Sequence, residues 1–574
     1  MLTHIRIKNF KSLSDINFEL GAAVVLIGPN NSGKTTALQA LALWHLGLTQ
    51  WLARRGSKPS PGKRPGVTIN RNDLISLPVR AVNLLWRDLR VRNVRRVAGK
   101  QQTANIRIDI IVDGIGDDGV SWTCGLEFDF ANEESFYCRP LRLLDDNGGQ
   151  RMLVPEQAGS VRVAFLPPLS GLAATEPKLE AGRINVLLGE GQTAQVLRNL
   201  CYQLYTQPAP DASWAALVDH IITLFGVTLL PPRYIPERGE ITMSYREADE
   251  VELDISSSGR GLQQTLLLLA YLYANPRTVL LLDEPDAHLE LLRQRQLYKL
   301  LTDTARAAGS QVIAASHSEV VLNEAADRDI VIAFVGQPHR MDDRGVQVLK
   351  SLKAIGFEQY YQAEQTGWVL YLEGSTDLAI LQALAATLGH PAMDWLARPF
   401  VHYVLNQPAR ARDHFAGLQE AKPDLVGIAI YDRLDKQFQG YPQLTELMWQ
   451  QRELENYLTK RPVLLQYAAT IHPGPAAVAA NPVAVMKSAI SEIETALQTL
   501  GRPSPWSPDI KATDDFLDPL FRAFFAKLDL RNLLHKTDYH ILTQWVTVAD
   551  IDPEVTAKLD QIVEVAHQAK PRRN

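Results

Sequence analysis

Two groups of residues in this 574-residue chain have types and spacings that do chemistry. The first is Gly28-Pro29-Asn30-Asn31-Ser32-Gly33-Lys34-Thr35, a full G-x-x-x-x-G-K-[ST] pattern followed by Thr36. In such a loop the backbone N–H groups from Gly28 through Asn30, Asn31 and Gly33 cradle phosphate, Lys34 reaches the β- and γ-phosphates, and Thr35 holds Mg²⁺. The second group lies far downstream. Leu370-Tyr371-Leu372 ends in Glu373-Gly374 with Asp377 beyond, and Ile428-Ala429-Ile430-Tyr431 ends in Asp432. Taken singly, Glu373 reads as a helix cap and Asp432 as the start of a turn. Their paired placement at the ends of two apolar runs favours a site for Mg²⁺ or Mn²⁺, because hard oxygen ligands suit hard cations. Metals held that way can activate water for phosphodiester cleavage.

The elements that must position the first group are legible nearby. Val24-Val25-Leu26-Ile27 is a continuous apolar run, as a buried central strand should be, and Thr36 to Leu41 opens a helix. That strand–loop–helix order puts phosphate at a helix N-terminus. Thr278-Val279-Leu280-Leu281-Leu282-Asp283-Glu284 is a second apolar strand ending in two acids. Asp283 is placed to bind Mg²⁺ directly or through water, and Glu284 to polarise the attacking water. Upstream, Ser256-Ser257-Ser258-Gly259-Arg260-Gly261 opens a helix over Thr265–Tyr273, and Val312 to Ser316 is a strand followed by His317.

For the second group, a strand over 369–372, a helix over 377–388, a strand over 400–405, a helix over 411–421 and a strand over 425–431 predict a parallel sheet with right-handed crossovers. Ligands gather at the carboxyl ends of such strands, where Glu373 and Asp432 lie. Between the two groups the chain alternates as strands over 106–112 and 120–143, then reads as helices over 185–205 and 213–225, with no sustained heptads. Beyond about residue 462 it is mainly helical, with a loop over 473–482 and a frayed tail from Lys570.

Composition narrows the setting. The length calls for more than one domain, and the net charge is −5. No apolar run is long enough to span a bilayer, and Met1 to Lys8 alternates like a strand rather than a signal peptide. Cys124, Cys138 and Cys201 show no metal spacing, which points to a reducing, cytoplasmic location. From Arg54 to Lys100, thirteen basic residues face only Asp73 and Asp88. This stretch, with Arg92, Arg95 and Arg96 in it, is a candidate DNA contact or a solvated insertion loop.

The first set of motifs resembles the ABC-type ATPase heads of the SMC and recombination-repair families. That resemblance implies that Ser258, Gly259 and Gly261 complete the nucleotide site of a partner copy, and that His317 senses the γ-phosphate in its own chain. An SMC-like repair ATPase is disfavoured by the missing coiled coil. Followed by the Glu-Gly…Asp pattern of a Toprim domain, the chain resembles the overcoming-lysogenization-defect (OLD) family of ATP-dependent nucleases, which includes the nuclease subunit of the Gabija anti-phage system. The resemblance implies Glu373 and Asp377 as metal-site acids, Asp432 as the central metal ligand and Lys536 as a catalytic cation. Toprim domains place Asp-x-Asp after the third strand, whereas here Leu434 separates Asp432 from Asp435. Asp435 can swing in, and Glu455, flanked by the buried-face residues Leu454 and Leu458, is a compensating ligand.

The expected architecture is α/β. A P-loop ATPase head is expected over 1–48 and 240–350, with inserted β-rich and helical lobes over 49–239 as a dimerisation arm. A Toprim parallel-sheet domain with a helical C-terminal part is expected over 365–574. The expected function is an ATP-regulated, divalent-metal-dependent DNA endonuclease or nickase in anti-phage defence. It would act as a homodimer or higher oligomer, alone or with a partner subunit, and without a membrane. The alternative is an ATP-dependent DNA sensor or scaffold with a degenerate metal site that recruits another effector.

Overall fold

The computed structural model describes residues 1–56, 66–74, 77, 79–97, 100–142, 151–168, 172–190, 192–207, 210–247, 251–326, 328–335, 337–341, 355–435, 438, 440–472 and 480–571. Parts of the basic stretch (57–65, 98–99), the 169–171 turn, most of the 473–482 loop and the last three residues lie outside them. So do the side chains of Arg95, Arg96 and Lys100. Two compact units divide the chain, residues 1–345 and 346–573.

In the first unit, the apolar run around Val24 becomes strand Ala23–Ile27, which lies inside a six-stranded sheet. Its order is Arg162–Leu166, Thr278–Asp283, Gln311–Ser316, Ala23–Ile27, Ile330–Ala333, His339–Arg340. The first five strands run parallel, and the last closes an antiparallel edge. Alternation along the strands divides two cores: Val279 and Leu281 pack toward helix Lys34–Arg55, and Leu280 and Leu282 toward helices Leu197–Tyr205, Arg260–Ala274 and Leu291–Ala307.

Helix Lys34–Arg55 is apolar around much of its surface because it is covered on both sides. Over it lies an antiparallel sheet of order Leu13–Glu19, Leu2–Phe10, Ile108–Ile115, Ser121–Asn132, Ser135–Pro140, Val67–Asn70. Trp44 donates its indole N–H to the Cys124 carbonyl and stacks on Trp122. This sheet joins N-terminal strands to strands from beyond residue 48, so residues distant in sequence share one core with the phosphate loop. The helix expected over 185–205 is two, Ala181–Gly189 and Leu197–Tyr205, separated by a short turn at Thr193–Gln195. The poor helix propensity of Gly189, the last residue of the first helix, accounts for its end.

The second unit holds a parallel four-stranded sheet of order Val401–Tyr403, Trp368–Leu372, Val426–Tyr431, Leu444–Met448. The fourth strand is not among the sequence expectations, because Leu444-Thr445-Glu446-Leu447-Met448 is too polar to read as a buried run. Its Glu446 is buried by a forked ion pair with Arg412 of helix Pro408–Ala421, at 2.8 Å for the shortest contact. Trp368, Leu370, Leu372, Ile428 and Ile430 pack on helices Ser375–Leu388, Pro482–Thr499, Asp518–Lys527 and Pro553–His567.

Candidate functional site

The phosphate loop connects strand Ala23–Ile27 to helix Lys34–Arg55. Two glycines in it have steric reasons. Gly33 takes φ 100°, and a Cβ there would meet Leu13 Cδ2 at 2.8 Å. A Cβ on Gly28 would meet Ser32 Oγ at 2.7 Å and the Phe334 carbonyl oxygen at 2.8 Å. The loop walls a cavity of about 620 Å³ with Ser12, Asn30, Asn31, Ser32, Gly33, Lys34, Thr35, Thr36 and Glu284. That volume is within the range of small-molecule sites.

Lys34 folds back, its ammonium donating to the carbonyls of Gly28 at 2.6 Å and Pro29 at 2.9 Å. Burial holds its pKa below the ordinary value, partly offset by the charges of Glu284 and Asp283. Thr35 donates its hydroxyl to Asp283 Oδ1 at 2.9 Å, tying the loop to the end of strand Thr278–Asp283. Burial raises the Asp283 pKa. Glu284 adopts φ 47°, an uncommon conformation for this residue type, and its N–H donates to the Ala315 carbonyl. This turn aims its carboxylate at the cavity, where His317 Nδ1 stands 3.4 Å from Glu284 Oε1. Lys34, Thr35, Asp283, Glu284 and His317 therefore form one constellation. Ser12, from the turn between the first two strands, joins the cavity wall. It is invisible to motif reading because the antiparallel sheet brings it there.

Ser258, Gly259 and Gly261 do not line that cavity. They border a separate one of about 290 Å³ with Arg260, His288, Leu289 and Arg293. Gly259 caps helix Arg260–Ala274 without a side-chain hydrogen bond.

In the second unit, the carboxyl edge of the parallel sheet gathers Glu373, Asn406 and Asp432 from three neighbouring strands. One amide bridges both acids: Asn406 Nδ2 donates to Glu373 Oε2 at 2.6 Å and to Asp432 Oδ2 at 3.0 Å. The Asp432 N–H donates back to Asn406 Oδ1 at 3.0 Å. Leu405 and Asn406 both take positive φ, 50° and 55°, and this turns the chain sharply after Val404. Asp377, in the first turn of helix Ser375–Leu388, accepts the Glu373 N–H at 3.0 Å. Glu455 is buried in the short helix Leu454–Tyr457.

These acids raise one another. Burial, then the hydrogen bond and charge of Glu373 and the charges of Asp377 and Glu455, push Asp432 up to about 9. Burial with Glu453 and Asp377 pushes Glu455 up to about 8. Burial and Glu373 push Asp377 up to about 6. Burial opposes the charge of Lys536, but Glu455, Glu373, Glu453 and Asp514 outweigh it and raise its pKa.

Glu373, Asp377, Asp432, Glu455 and Lys536 thus share one electrostatic cluster. Asp435 is exposed, and among the described residues no hydrogen bond or ion pair ties it to the cluster. Asn406 belongs to the cluster and escapes motif reading, and Glu453, from the same acidic stretch as Glu455, joins it. The strand-end rule that singles out Glu373 and Asp432 also selects Asn406 once edge strand Val401–Tyr403 is ended at Tyr403. The donor set is all carboxyl oxygen and becomes anionic as its raised acids lose their protons, which suits a hard divalent cation. As the side chains stand, no group of three or more His, Cys, Asp or Glu among the described residues is arranged to hold a metal ion. The Asn406 amide sits between the two central acids.

Comparison with known proteins bears mainly on the first unit. Residues 1–45 match a family model described as "AAA ATPase domain". Residues 234–323 match one described as "AAA domain, putative AbiEii toxin, Type IV TA system". A 43-residue stretch is 46% identical to an OLD nuclease of Thermus scotoductus, covering 8% of this chain and 8% of that protein. Similar solved structures include an SMC head bound to the C-terminal winged-helix domain of ScpA, with 13% identity, 59% of this chain, 97% of that one and TM-score 0.37. The SMC head domain of Thermotoga maritima is another, with 15% identity, 59% and 98% coverage and TM-score 0.32. At such scores the architecture rests on the sheet order and loop geometry above rather than on the overlay. Among the described residues no helix is long and apolar enough to cross a membrane. Lys34 and Thr35 thus lie in the first of the two segments that match AAA-type ATPase models, and Asp283 and Glu284 in the second, which supports ATP binding and turnover at this site.

Proposed function

We propose that this chain is an ATP-regulated, divalent-metal-dependent DNA endonuclease or nickase of OLD type, serving anti-phage defence. The observation that carries the reading is the convergence of Glu373, Asp377, Asp432, Glu455 and Lys536 at the carboxyl edge of a parallel sheet, in a chain whose other unit is an ATPase. The second unit is then a Toprim domain over 365–574, and the ATPase head spans 1–48 and 240–350 together with the strands of 49–239 that complete its two sheets, which leaves only the remainder of 49–239 as an inserted arm.

In the ATPase, Asn30, Asn31, Gly33 and Thr36 border the phosphates, and Lys34 leaves its loop carbonyls for the β- and γ-phosphates. Thr35 and Asp283 would hold Mg²⁺, which would neutralise phosphate charge, while Glu284 orients the attacking water and His317 reads the γ-phosphate beside Glu284. Ser258, Gly259 and Gly261 act on the nucleotide of a second copy, which makes the working form a homodimer or larger. In the Toprim site, Glu373, Asp377, Asp432, Asp435 and Glu455 are the acids that would hold Mg²⁺ or Mn²⁺. When bound, the cation supplies a water of lowered pKa and charge for the leaving oxygen. Asp377 fixes Glu373 through its backbone N–H, Asn406 sets the spacing of Glu373 and Asp432, and Lys536 brings positive charge to the phosphodiester.

Supercoiled plasmid incubated with the protein, Mg²⁺ or Mn²⁺ and ATP tests this. Nicking is expected from the wild type and not from Glu373→Ala or Asp432→Ala. A wild type that never cuts, with any nucleotide or partner subunit, would sink the nuclease reading. Cutting retained in both variants would sink the site. A second reading, a DNA sensor or scaffold that recruits another effector, is favoured by Leu434 between Asp432 and Asp435 and by the absence of a ready-made three-ligand group among the described residues. DNA-stimulated ATP turnover without cutting would select it.

A further inference from the structure

We infer that Arg198 is a positioning residue for ATP turnover, clamping the Ser256–Ser258 turn to the segment that follows the edge strand of the nucleotide sheet. The inference rests on the reading that Ser258 and Gly259 act on nucleotide.

Arg198 lies in the first turn of helix Leu197–Tyr205, and its side chain is 1% exposed. One arm of the guanidinium, Nη1, donates to the Ala173 carbonyl at 2.9 Å. The other, Nη2, donates to Asp254 Oδ1 at 3.0 Å. The Ala173 segment is itself stapled down. Fully buried Glu176 accepts the N–H groups of Arg198 at 2.9 Å and Asn199 at 2.6 Å, and Asn199 Oδ1 accepts the Leu179 N–H at 2.8 Å. This segment follows strand Arg162–Leu166, which pairs with the strand that carries Asp283.

Asp254 is the other half of the clamp. It caps the serine turn, and its Oδ1 accepts from three donors: the Ser256 N–H at 2.8 Å, the Ser256 hydroxyl at 2.6 Å and Arg198. Ser256, Ser257 and Gly259 are exposed, so few packing contacts of their own shape the turn. The Ile255 carbonyl completes it, accepting the Ser258 N–H and hydroxyl. Buried Gln263 holds the far side of the turn, donating to the Ser258 carbonyl at 2.9 Å, so Ser258 is set by Asp254 through Ser256 on one side and by Gln263 on the other.

Part of the arginine's role is stability, because its guanidinium stands 3.9 Å from the fully buried Glu176 carboxylate and partners it. The rest of its role is geometric. A planar fork with donors at fixed angles does what an apolar side chain does not: it sets the distance between two backbone segments. The segments it joins are one leading from the nucleotide sheet and one presenting Ser258. Misplacing a reacting group by about 1 Å costs turnover rather than affinity.

The test is steady-state ATP hydrolysis by the full chain, with rates normalised to protein that binds a fluorescent ATP analogue, so that misfolded material does not count. Asp254→Asn is the central variant, because it keeps an acceptor for Ser256 on a half-exposed residue and removes the charge facing Arg198. Arg198→Met and the double variant complete a cycle, and Ser258→Ala reports on the turn itself. The clamp predicts that kcat falls about tenfold in each single variant, the equivalent of one charge-assisted hydrogen bond, with KM for ATP within about twofold and the double variant no worse than either single. An unchanged kcat in Asp254→Asn, or fully additive losses, overturns the clamp if Ser258→Ala still slows turnover. If Ser258→Ala also hydrolyses normally, the assignment of Ser258 fails and the clamp with it.

Discussion

Loading the acidic cluster with a divalent cation should release protons, and the structure sets how many. At neutral pH the cluster carries protons that ordinary carboxyls would have lost. Asp432, pushed up to about 9, and Glu455, pushed up to about 8, are both mostly protonated at pH 7, while Asp377 at about 6 is mostly ionised. The three groups titrate together, so the count belongs to the cluster rather than to any one acid. A cation that binds the ionised forms therefore displaces about two protons at pH 7 and about half a proton at pH 9. Affinity for Mn²⁺ should rise steeply between those values.

The sign for stability follows from the same shifts. Acids with raised folded-state pKa values make the folded protein bind more protons than the unfolded chain, so the metal-free protein loses stability as pH rises from about 4 to about 9. Mn²⁺ should restore stability at the alkaline end. Isothermal titration of Mn²⁺ into the protein, in two buffers of different ionisation enthalpy, measures the protons released. Proton release near zero at pH 7, or equal release at pH 7 and pH 9, would refute the account of the cluster. Glu373→Gln removes the acid hydrogen-bonded into the Asp432 shift and should lower both the alkaline dependence and the number of protons released.

Two further outcomes follow from named contacts. Glu284→Gln keeps the turn at φ 47° and the size of the side chain but removes its charge beside His317, so ATP should still bind while turnover falls about a hundredfold or more, read by comparing nucleotide binding with hydrolysis. Arg412→Met strands the buried Glu446 carboxylate in the second sheet and should cost about 3 kcal/mol in urea unfolding, whereas a loss below about 1 kcal/mol would mean that the forked pair contributes little.

Much of the framework is legible because local pattern dictates it. The apolar runs at Val24 and Thr278 become parallel strands of one sheet with Gln311–Ser316 between them, and the strands at Trp368 and Val426 pair in parallel as the β-α-β-α-β order requires. The misses share a cause. Leu444–Met448 is a strand despite Glu446, because Arg412 from a helix 34 residues away neutralises it. The 185–205 region breaks in two where glycine weakens the helix. Ser12 and Asn406 carry no motif, since each gains its place only when another strand or helix is laid beside it.

By itself the sequence determined the chemical vocabulary: the phosphate loop ending in Lys34 and Thr35, the acids Asp283 and Glu284 after an apolar strand, and acids after two later apolar runs. Those signals are short-range, set by the backbone conformation of a few consecutive residues. Only the tertiary structure decided which of these groups meet. Thr35 reaches Asp283 across 248 residues because two strands share a sheet. Asn406 stands between Glu373 and Asp432 because three parallel strands end at one edge. Burial there raises Asp432 and Glu455 above neutral pH. Proximity and desolvation are properties of the packed fold, and no spacing along the chain encodes them.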